Sequence, residues 1–256
     1  MLTIGDKFPE YELTGVGEPV VLPHARPFVL WYRPLVDHLQ DATVLRYRRE
    51  APGPLWGVDD DARLCARLLA EVGLRRPHVV GHSYGGLVAL ELARQGAVDL
   101  RSLALLEPAT VGLFAPEEAA ARTSRLIDMA ASEGTAAAMD QFLRSICGPD
   151  GPEVLDGHVP GALEDAVAHA PGFFGVELPA AVRWSFGASD VTGIDVPVLH
   201  ARGAASPPRF AEGAAIVESW FPTAEHHVLP GVTHLMMAQA PGLTAELLGA
   251  FWHQPG

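Results

Sequence analysis

The segment His78–Gly86 contains a serine between two glycines, at a spacing that can support covalent catalysis. Gly81, Ser83 and Gly85 follow an apolar run and open an alanine- and leucine-rich segment. A serine on so sharp a strand-to-helix turn has a strained backbone, and the residues two away on either side must be small. The turn exposes the hydroxyl and directs the Tyr84 N–H toward it, while the helix N-terminus favours negative charge. This pattern predicts a nucleophile with one oxyanion donor; the alternative is an ordinary helix-capping serine.

Alternating strand-like and helix-like segments surround this turn. The alternation indicates βαβ units and a mostly parallel α/β sheet. From about 115 to 186 the pattern is helical, with no convincing strand. We therefore expect a Rossmann-like core over 1–112 and 187–256, with a helical insertion over 113–186. The predicted strands are 18–22, 42–47, 78–80, 103–106, 196–200 and 225–229, and the predicted helices of the core are 33–39, 59–72, 83–95 and 242–252.

Motifs along nearly the whole chain resemble those of the α/β-hydrolase superfamily, in its cap-bearing serine esterase and lactonase branch. They are Gly-His-Ser-Tyr-Gly-Gly at 81–86, Leu-Leu-Glu-Pro at 105–108, Pro-Gly-Val-Thr-His at 230–234, and His24 after the first predicted strand. The resemblance implies the α/β-hydrolase fold, a mostly parallel twisted sheet flanked by helices. It also implies that the insertion folds over the active site as a helical cap.

The resemblance supplies a base and an acid for the serine. A serine hydroxyl is a poor nucleophile unless a neighbour takes its proton. His234 lies after a predicted strand and a Pro-Gly turn, on the loop that holds the catalytic histidine in the family. The usual acid position, near 198–206, has no Asp or Glu, but a second family position holds Glu107. We therefore predict a triad of Ser83, His234 and Glu107. The alternative acids are Asp190 and Asp195.

The loop after the first predicted strand departs from the family pattern. Family members usually have His-Gly there, whereas this chain has His24-Ala25-Arg26-Pro27. Because proline has no N–H, Ala25 or Arg26 is expected to be the second oxyanion donor. Losing such a donor costs about 100- to 1000-fold in rate, so the departure matters. The expected pocket residues are His24, Trp31, His82, Phe142, Phe173 and Trp184.

Composition excludes several other classes of protein. The net charge of −13 opposes binding to nucleic acid or an anionic membrane surface. The N-terminus, Met1 to Pro9, lacks an apolar signal core, and a cytoplasmic protein is expected. Cys65 and Cys147 form no CxxC pair, and the histidines show no zinc-ligand spacing, so no metal or cofactor is expected.

The sequence thus predicts an enzyme that hydrolyses an ester, thioester or lactone of a small molecule through an acyl-enzyme. Two alternatives remain open at this point. One is a non-hydrolytic cyclase or lyase on the same scaffold, suggested by the altered loop at His24-Ala25. The other is a small-molecule binding protein without catalysis. The sequence does not indicate the substrate or the oligomeric state.

Overall fold

A computed structural model describes residues 9–49 and 53–253 of the 256-residue chain. Residues 1–8 of the N-terminal stretch considered above lie outside these ranges. Within them, seven strands form one sheet in the order β1-β3-β2-β4-β5-β6-β7. The strands are β1 (Glu10–Thr14), β2 (Glu18–Val21), β3 (Ala42–Arg48), β4 (His78–His82), β5 (Ser102–Leu106), β6 (Val198–Gly203) and β7 (Glu225–Leu229).

Helices flank this sheet. Those between or after the strands of the core are α1 (Arg33–Val36), α2 (Val58–Glu71), α3 (Tyr84–Gln95), α10 (Pro208–Trp220), α11 (Met236–Gln239) and α12 (Pro241–Trp252). Between β5 and β6 lie α4 (Val111–Phe114), α5 (Pro116–Ser132), α6 (Thr135–Cys147), α7 (Gly151–His158), α8 (Ala162–Gly172) and α9 (Leu178–Arg183). Short 3-10 segments cover Arg26–Tyr32 and Asp190–Gly193, and a π-helical turn covers Phe173–Glu177. No described helix is both long and apolar enough to cross a membrane.

The sheet confirms the predicted α/β class. Every described pairing is parallel except that of β1 with β3. The central strands β4 and β5 are buried along their whole length, as expected for parallel strands covered by helices on both faces. Because parallel strands end at the same edge of the sheet, the residues after β4, β5 and β7 come together there.

Several core elements differ from the sequence expectation, and helices α10 and α11 were not predicted. Strand β1 was not predicted, because it is a mostly exposed edge strand with glutamates at 10 and 12 and no buried apolar run. The helix expected over 33–39 ends at Val36, and a 3-10 segment precedes it. Proline at the start of each piece, Pro27 and Pro34, favours two short helical turns over one longer helix.

Candidate active site

Ser83 occupies the turn between β4 and α3 in a strained conformation. Its φ is 54°, in the left-handed region that side chains with a Cβ rarely adopt. A Cβ added to Gly81 would lie 2.5 Å from the Gly85 carbonyl oxygen. One added to Gly85 would lie 1.9 Å from the Pro23 carbonyl oxygen. The two glycines therefore allow the close approach that this turn requires.

Glu107 follows the last residue of β5 and is also strained. Its φ is 42° and its side chain is buried. Oε1 accepts the Gly203 N–H at 2.7 Å, and Oε2 lies 2.7 Å from His234 Nδ1. A carboxylate can only accept, so the imidazole donates its Nδ1 proton. This leaves Nε2 of a neutral His234 with a lone pair.

His234 lies on the loop between β7 and α11 and is 1% exposed. The His82 ring packs 4.2 Å from it, centroid to centroid, and His82 Nε2 donates to the His234 carbonyl oxygen at 3.0 Å. Phe210 stacks on the imidazole at 4.5 Å. Burial first, and His234 second, hold the pKa of His82 well below its ordinary value, so His82 is a neutral packing partner.

Asp190 and Asp195, the alternative acids, do not accompany His234. Asp190 binds Arg94 and accepts the Gly187 N–H at 2.9 Å, and Asp195 is exposed. Of the three carboxylates considered in the sequence, the structure brings Glu107 alone to hydrogen-bonding distance of His234.

The Ser83 hydroxyl opens into a cavity of about 70 Å³. Within residues 9–49 and 53–253, it makes no hydrogen bond to His234 or to any other group. Two residues connect Ser83 with His234. Phe210 stacks on His234 and also lines this cavity. His82 precedes Ser83 in the sequence and donates a hydrogen bond to the His234 carbonyl oxygen. Catalytic hydrogen bonds often shorten only when substrate binds.

The oxyanion loop differs from the sequence expectation at Arg26. Its N–H donates to Glu177, at 2.9 Å to Oε2 and 3.2 Å to Oε1, and so is not available to a substrate. The interaction was not predicted because Glu177 belongs to the distant insertion. Of the two expected donors, Ala25 is the one whose N–H Glu177 does not occupy. The close approach of Gly85 to Pro23 places this loop against the start of α3. Tyr84 is the first residue of that helix, so its N–H has no acceptor within the helix.

A buried charged network that sequence reasoning missed connects the His24 loop with Tyr84 at the start of α3. Arg49 forms ion pairs with Asp61, at 3.0 Å, and with Glu177, and it donates to the His24 carbonyl oxygen. Asp61 accepts the Tyr84 hydroxyl at 2.7 Å. Burial raises the pKa of Glu177, and Arg49 opposes that shift. The network joins α2, α3, the His24 loop and the insertion.

Phe142 and Phe173, two of the six pocket candidates, line the cavity beside Ser83. The other four pocket candidates are not among its lining residues. His24 and Trp31 are buried in the core beside Tyr32 and Phe28 respectively, and His82 packs on His234. Trp184 donates its Nε1 proton to Glu91 on α3 at 3.1 Å. All four side chains therefore have partners other than the cavity.

Arg122 and Arg209 also line the cavity and were not predicted there. Arg122 comes from α5 and Arg209 from the start of α10. Their positions in the sequence gave no sign that the two side chains would meet, because an arginine on an amphipathic helix is usually solvated.

The buried side chain of His24 is expected to make the stability of the protein depend on pH. Burial, followed by the charge of Arg49, lowers the pKa of His24 from 6.5 to about 3. The folded protein keeps it neutral below pH 6.5 while the unfolded chain takes up a proton, so stability falls as the pH drops. At pH 5 this linkage lowers the free energy of unfolding by about 2 kcal/mol.

We therefore expect His24→Gln to lose less stability than the wild type between pH 7.5 and pH 5, by about 2 kcal/mol in urea titrations. His38→Gln, which changes an exposed histidine, is expected to follow the wild type. Equal losses in all three proteins would contradict the assignment of a neutral buried His24.

One group of possible metal ligands occurs in the described part of the chain. Side-chain atoms of His200, Glu218 and His226 lie within 4.8 Å of one another. They come from β6, α10 and β7, which explains why no ligand spacing marks them in the sequence. None of them lines the cavity beside Ser83, so the group has no contact with the predicted chemistry.

Comparisons with known proteins agree with this architecture. The sequence model of the alpha/beta hydrolase family matches residues 20–247. Epoxide hydrolase EphH of Mycobacterium tuberculosis is 27% identical over 199 residues, which cover 72% of this chain and 90% of that protein.

Solved structures of similar fold include two hydrolases. A malate-bound thermophilic esterase from Thermogutta terrifontis has a TM-score of 0.78 and 22% identity, covering 96% of this chain and 94% of its own. An enol-lactonase from Burkholderia xenovorans LB400 has a TM-score of 0.76 and 20% identity, covering 96% of each chain. At these identities the likeness is one of fold. Since the family match extends over most of the sequence and includes the turn at Ser83 and the loop at His234, the chain belongs to the α/β hydrolase family.

Proposed function

We propose that this chain is a serine hydrolase that cleaves an ester, thioester or lactone of a small organic molecule through an acyl-enzyme. The observation that carries the proposal is the buried 2.7 Å hydrogen bond between Glu107 and His234. It lies at the sheet edge where Ser83 has a strained backbone with positive φ. A buried acid, a buried base and a half-buried hydroxyl at one sheet edge are the groups that acyl transfer needs.

In the proposed first step, Ser83 Oγ attacks the carbonyl carbon and its proton passes to His234 Nε2. The C–O or C–S bond to the leaving group then breaks, and His234 returns the proton to that group. In the second step, His234 takes a proton from water, the hydroxide attacks the acyl carbon, and Ser83 leaves with the proton. Glu107 stabilises the imidazolium in both steps. No step requires a cofactor.

The negative charge on the tetrahedral oxygen requires two donors. We assign them to the Tyr84 and Ala25 N–H groups, on the two chain segments that meet where Gly85 approaches Pro23. Such donors are typically worth about 3 to 4 kcal/mol each in the transition state. Glu177 and Arg49 support this assignment, because they hold the neighbouring N–H and carbonyl groups of the loop.

We further propose that residues 113–186 act as a cap over the reacting centre. Phe142 and Phe173 from this insertion line the cavity that contains Ser83. An apolar cover excludes water from the site and strengthens the electrostatic interactions within it.

Epoxide opening, the activity named for the M. tuberculosis relative, is disfavoured by the nucleophile. A serine oxygen that opened an epoxide would form an ether, which water activated by a histidine does not cleave. An acyl-enzyme is an ester and is readily hydrolysed. Ser83 therefore favours carbonyl substrates.

The test is covalent labelling by a fluorophosphonate probe, which reacts with an activated serine. We expect the wild type to be labelled and Ser83→Ala to remain unlabelled, with peptide mapping placing the probe on Ser83. Ser102→Ala, which alters a serine buried in β5, is a control and should label as the wild type does. A wild type that is folded but never labelled would contradict the proposal and favour a cyclase, a lyase or a binding protein.

A further inference from the structure

Two arginines line the cavity of Ser83 without a counter-charge in contact. Arg122 and Arg209 both line it, and in the described part of the chain neither forms an ion pair within 4 Å. Nη1 of Arg122 and Nη2 of Arg209 are buried and have no hydrogen-bond partner. Leaving a buried charged donor unpaired costs about 1–3 kcal/mol or more, so each requires an acceptor.

The two guanidinium groups also repel each other. Burial first, and then the charge of Arg209, lowers the pKa of Arg122. Burial likewise lowers the pKa of Arg209. Glu118 offsets part of this for both, but it is exposed and makes no ion pair with either. Two desolvated cations held near each other form a region of positive potential that an anion would stabilise.

The rest of the cavity indicates which anion fits. Phe142, Phe173 and Ile146 make its walls apolar, and its volume is about 70 Å³. A guanidinium is planar and binds a carboxylate through two parallel N–H donors. A small molecule with a carboxylate at one end and an apolar middle matches both features.

We propose that Arg122 and Arg209 form an anion subsite that binds a carboxylate carried by the ester substrate. The inference rests on the proposed function, since it takes Ser83 as the group that attacks the same molecule. The subsite would orient the ester within the cavity, so its contribution appears in kcat/KM for anionic substrates and not for neutral ones.

Isosteric substrate pairs test this on both sides of the ester bond. On the acyl side, the mono-4-nitrophenyl ester of glutaric acid is compared with 4-nitrophenyl 5-methylhexanoate. On the alcohol side, acetoxyacetate is compared with isobutyl acetate. In at least one pair we expect the wild type to favour the carboxylate by about 10-fold or more in kcat/KM, the effect of a charge-assisted hydrogen bond.

Arg122→Gln and Arg209→Gln are each expected to reduce this preference to within about 3-fold, because the charge-assisted hydrogen bonds are lost. Hydrolysis of the neutral ester should be retained, which also shows that the variants are folded. Arg125→Gln is the matched control, since Arg125 is on the same helix as Arg122 but does not line the cavity. It should keep the preference.

Different experimental results would contradict this inference and the proposed function. If the wild type hydrolyses both members of each pair equally, or prefers the neutral one, the subsite is overturned and the hydrolase remains. If no ester is hydrolysed, the function is overturned, and calorimetric titration with glutarate tests the subsite alone. Binding weakened about 10-fold in both glutamine variants, but not in Arg125→Gln, would support it; identical binding in all proteins would overturn it.

Discussion

Replacing Glu107 with glutamine is expected to lower kcat about 10,000-fold while leaving the protein folded. The reason lies in the two hydrogen bonds of the carboxylate. The Gly203 N–H is a donor, so the glutamine must turn its carbonyl oxygen toward Gly203. Its NH₂ group then faces His234 Nδ1 and requires a lone pair there.

This arrangement reverses the tautomer of His234. With Nδ1 accepting a hydrogen bond, the imidazole proton moves to Nε2, which can no longer take the proton of Ser83. The imidazolium also loses its buried negative partner. Steady-state hydrolysis of a 4-nitrophenyl ester measures the loss.

Asp190→Asn is the control for this experiment. Asp190 is one of the two alternative acids, and it binds Arg94 away from His234. We expect its kcat to stay within about 3-fold of the wild type, as for a surface substitution. A loss of less than 10-fold in Glu107→Gln, or a larger loss in Asp190→Asn, would show that Glu107 does not steer His234.

The second large effect is expected at Gly85. An alanine there would place its Cβ 1.9 Å from the Pro23 carbonyl oxygen and 2.7 Å from the His24 nitrogen. Both are backbone atoms and cannot rotate away, so the loop that carries Ala25 must move. A displaced oxyanion donor costs about 100- to 1000-fold in kcat, and overpacking costs about 1–3 kcal/mol of stability.

Gly249→Ala is the matched control for Gly85→Ala. Gly249 is in α12, and no atom would lie within 4 Å of an added Cβ. Alanine is favoured over glycine in a helix by up to about 1 kcal/mol, so this variant should be slightly more stable and fully active. Activity and urea unfolding are measured for both. A Gly85→Ala enzyme with normal kcat would contradict the close approach of the two segments.

The sheet and the turn at Ser83 could be predicted because their causes are local. Strand-like runs of three to six residues and the Gly-x-Ser-x-Gly spacing are both signals that can be read from neighbouring residues. Glu107 could be proposed because it ends a buried strand at the edge where ligands bind. Its positive φ could not, because residues other than glycine rarely adopt it and nothing local in the sequence marks it.

The contacts that define the cavity could not be predicted in the same way. Arg122 and Arg209 are on different helices, and their meeting depends on how α5 packs relative to α10. The Arg26 N–H was expected to be free because its partner, Glu177, is far away in the chain. Side-chain pairs of this kind depend on tertiary packing, which leaves no periodic trace in sequence.

The ion pair between Glu177 and Arg49 limits which segments could replace the insertion. Glu177 belongs to the insertion, whereas Arg49 and Asp61 belong to the core. A graft that exchanged residues 113–186 for unrelated helices would leave the buried guanidinium with one counter-ion and the Arg26 N–H without an acceptor, at a cost of several kcal/mol. Any transplanted segment that restores a working loop at His24 must therefore bring a carboxylate to the place that Glu177 occupies.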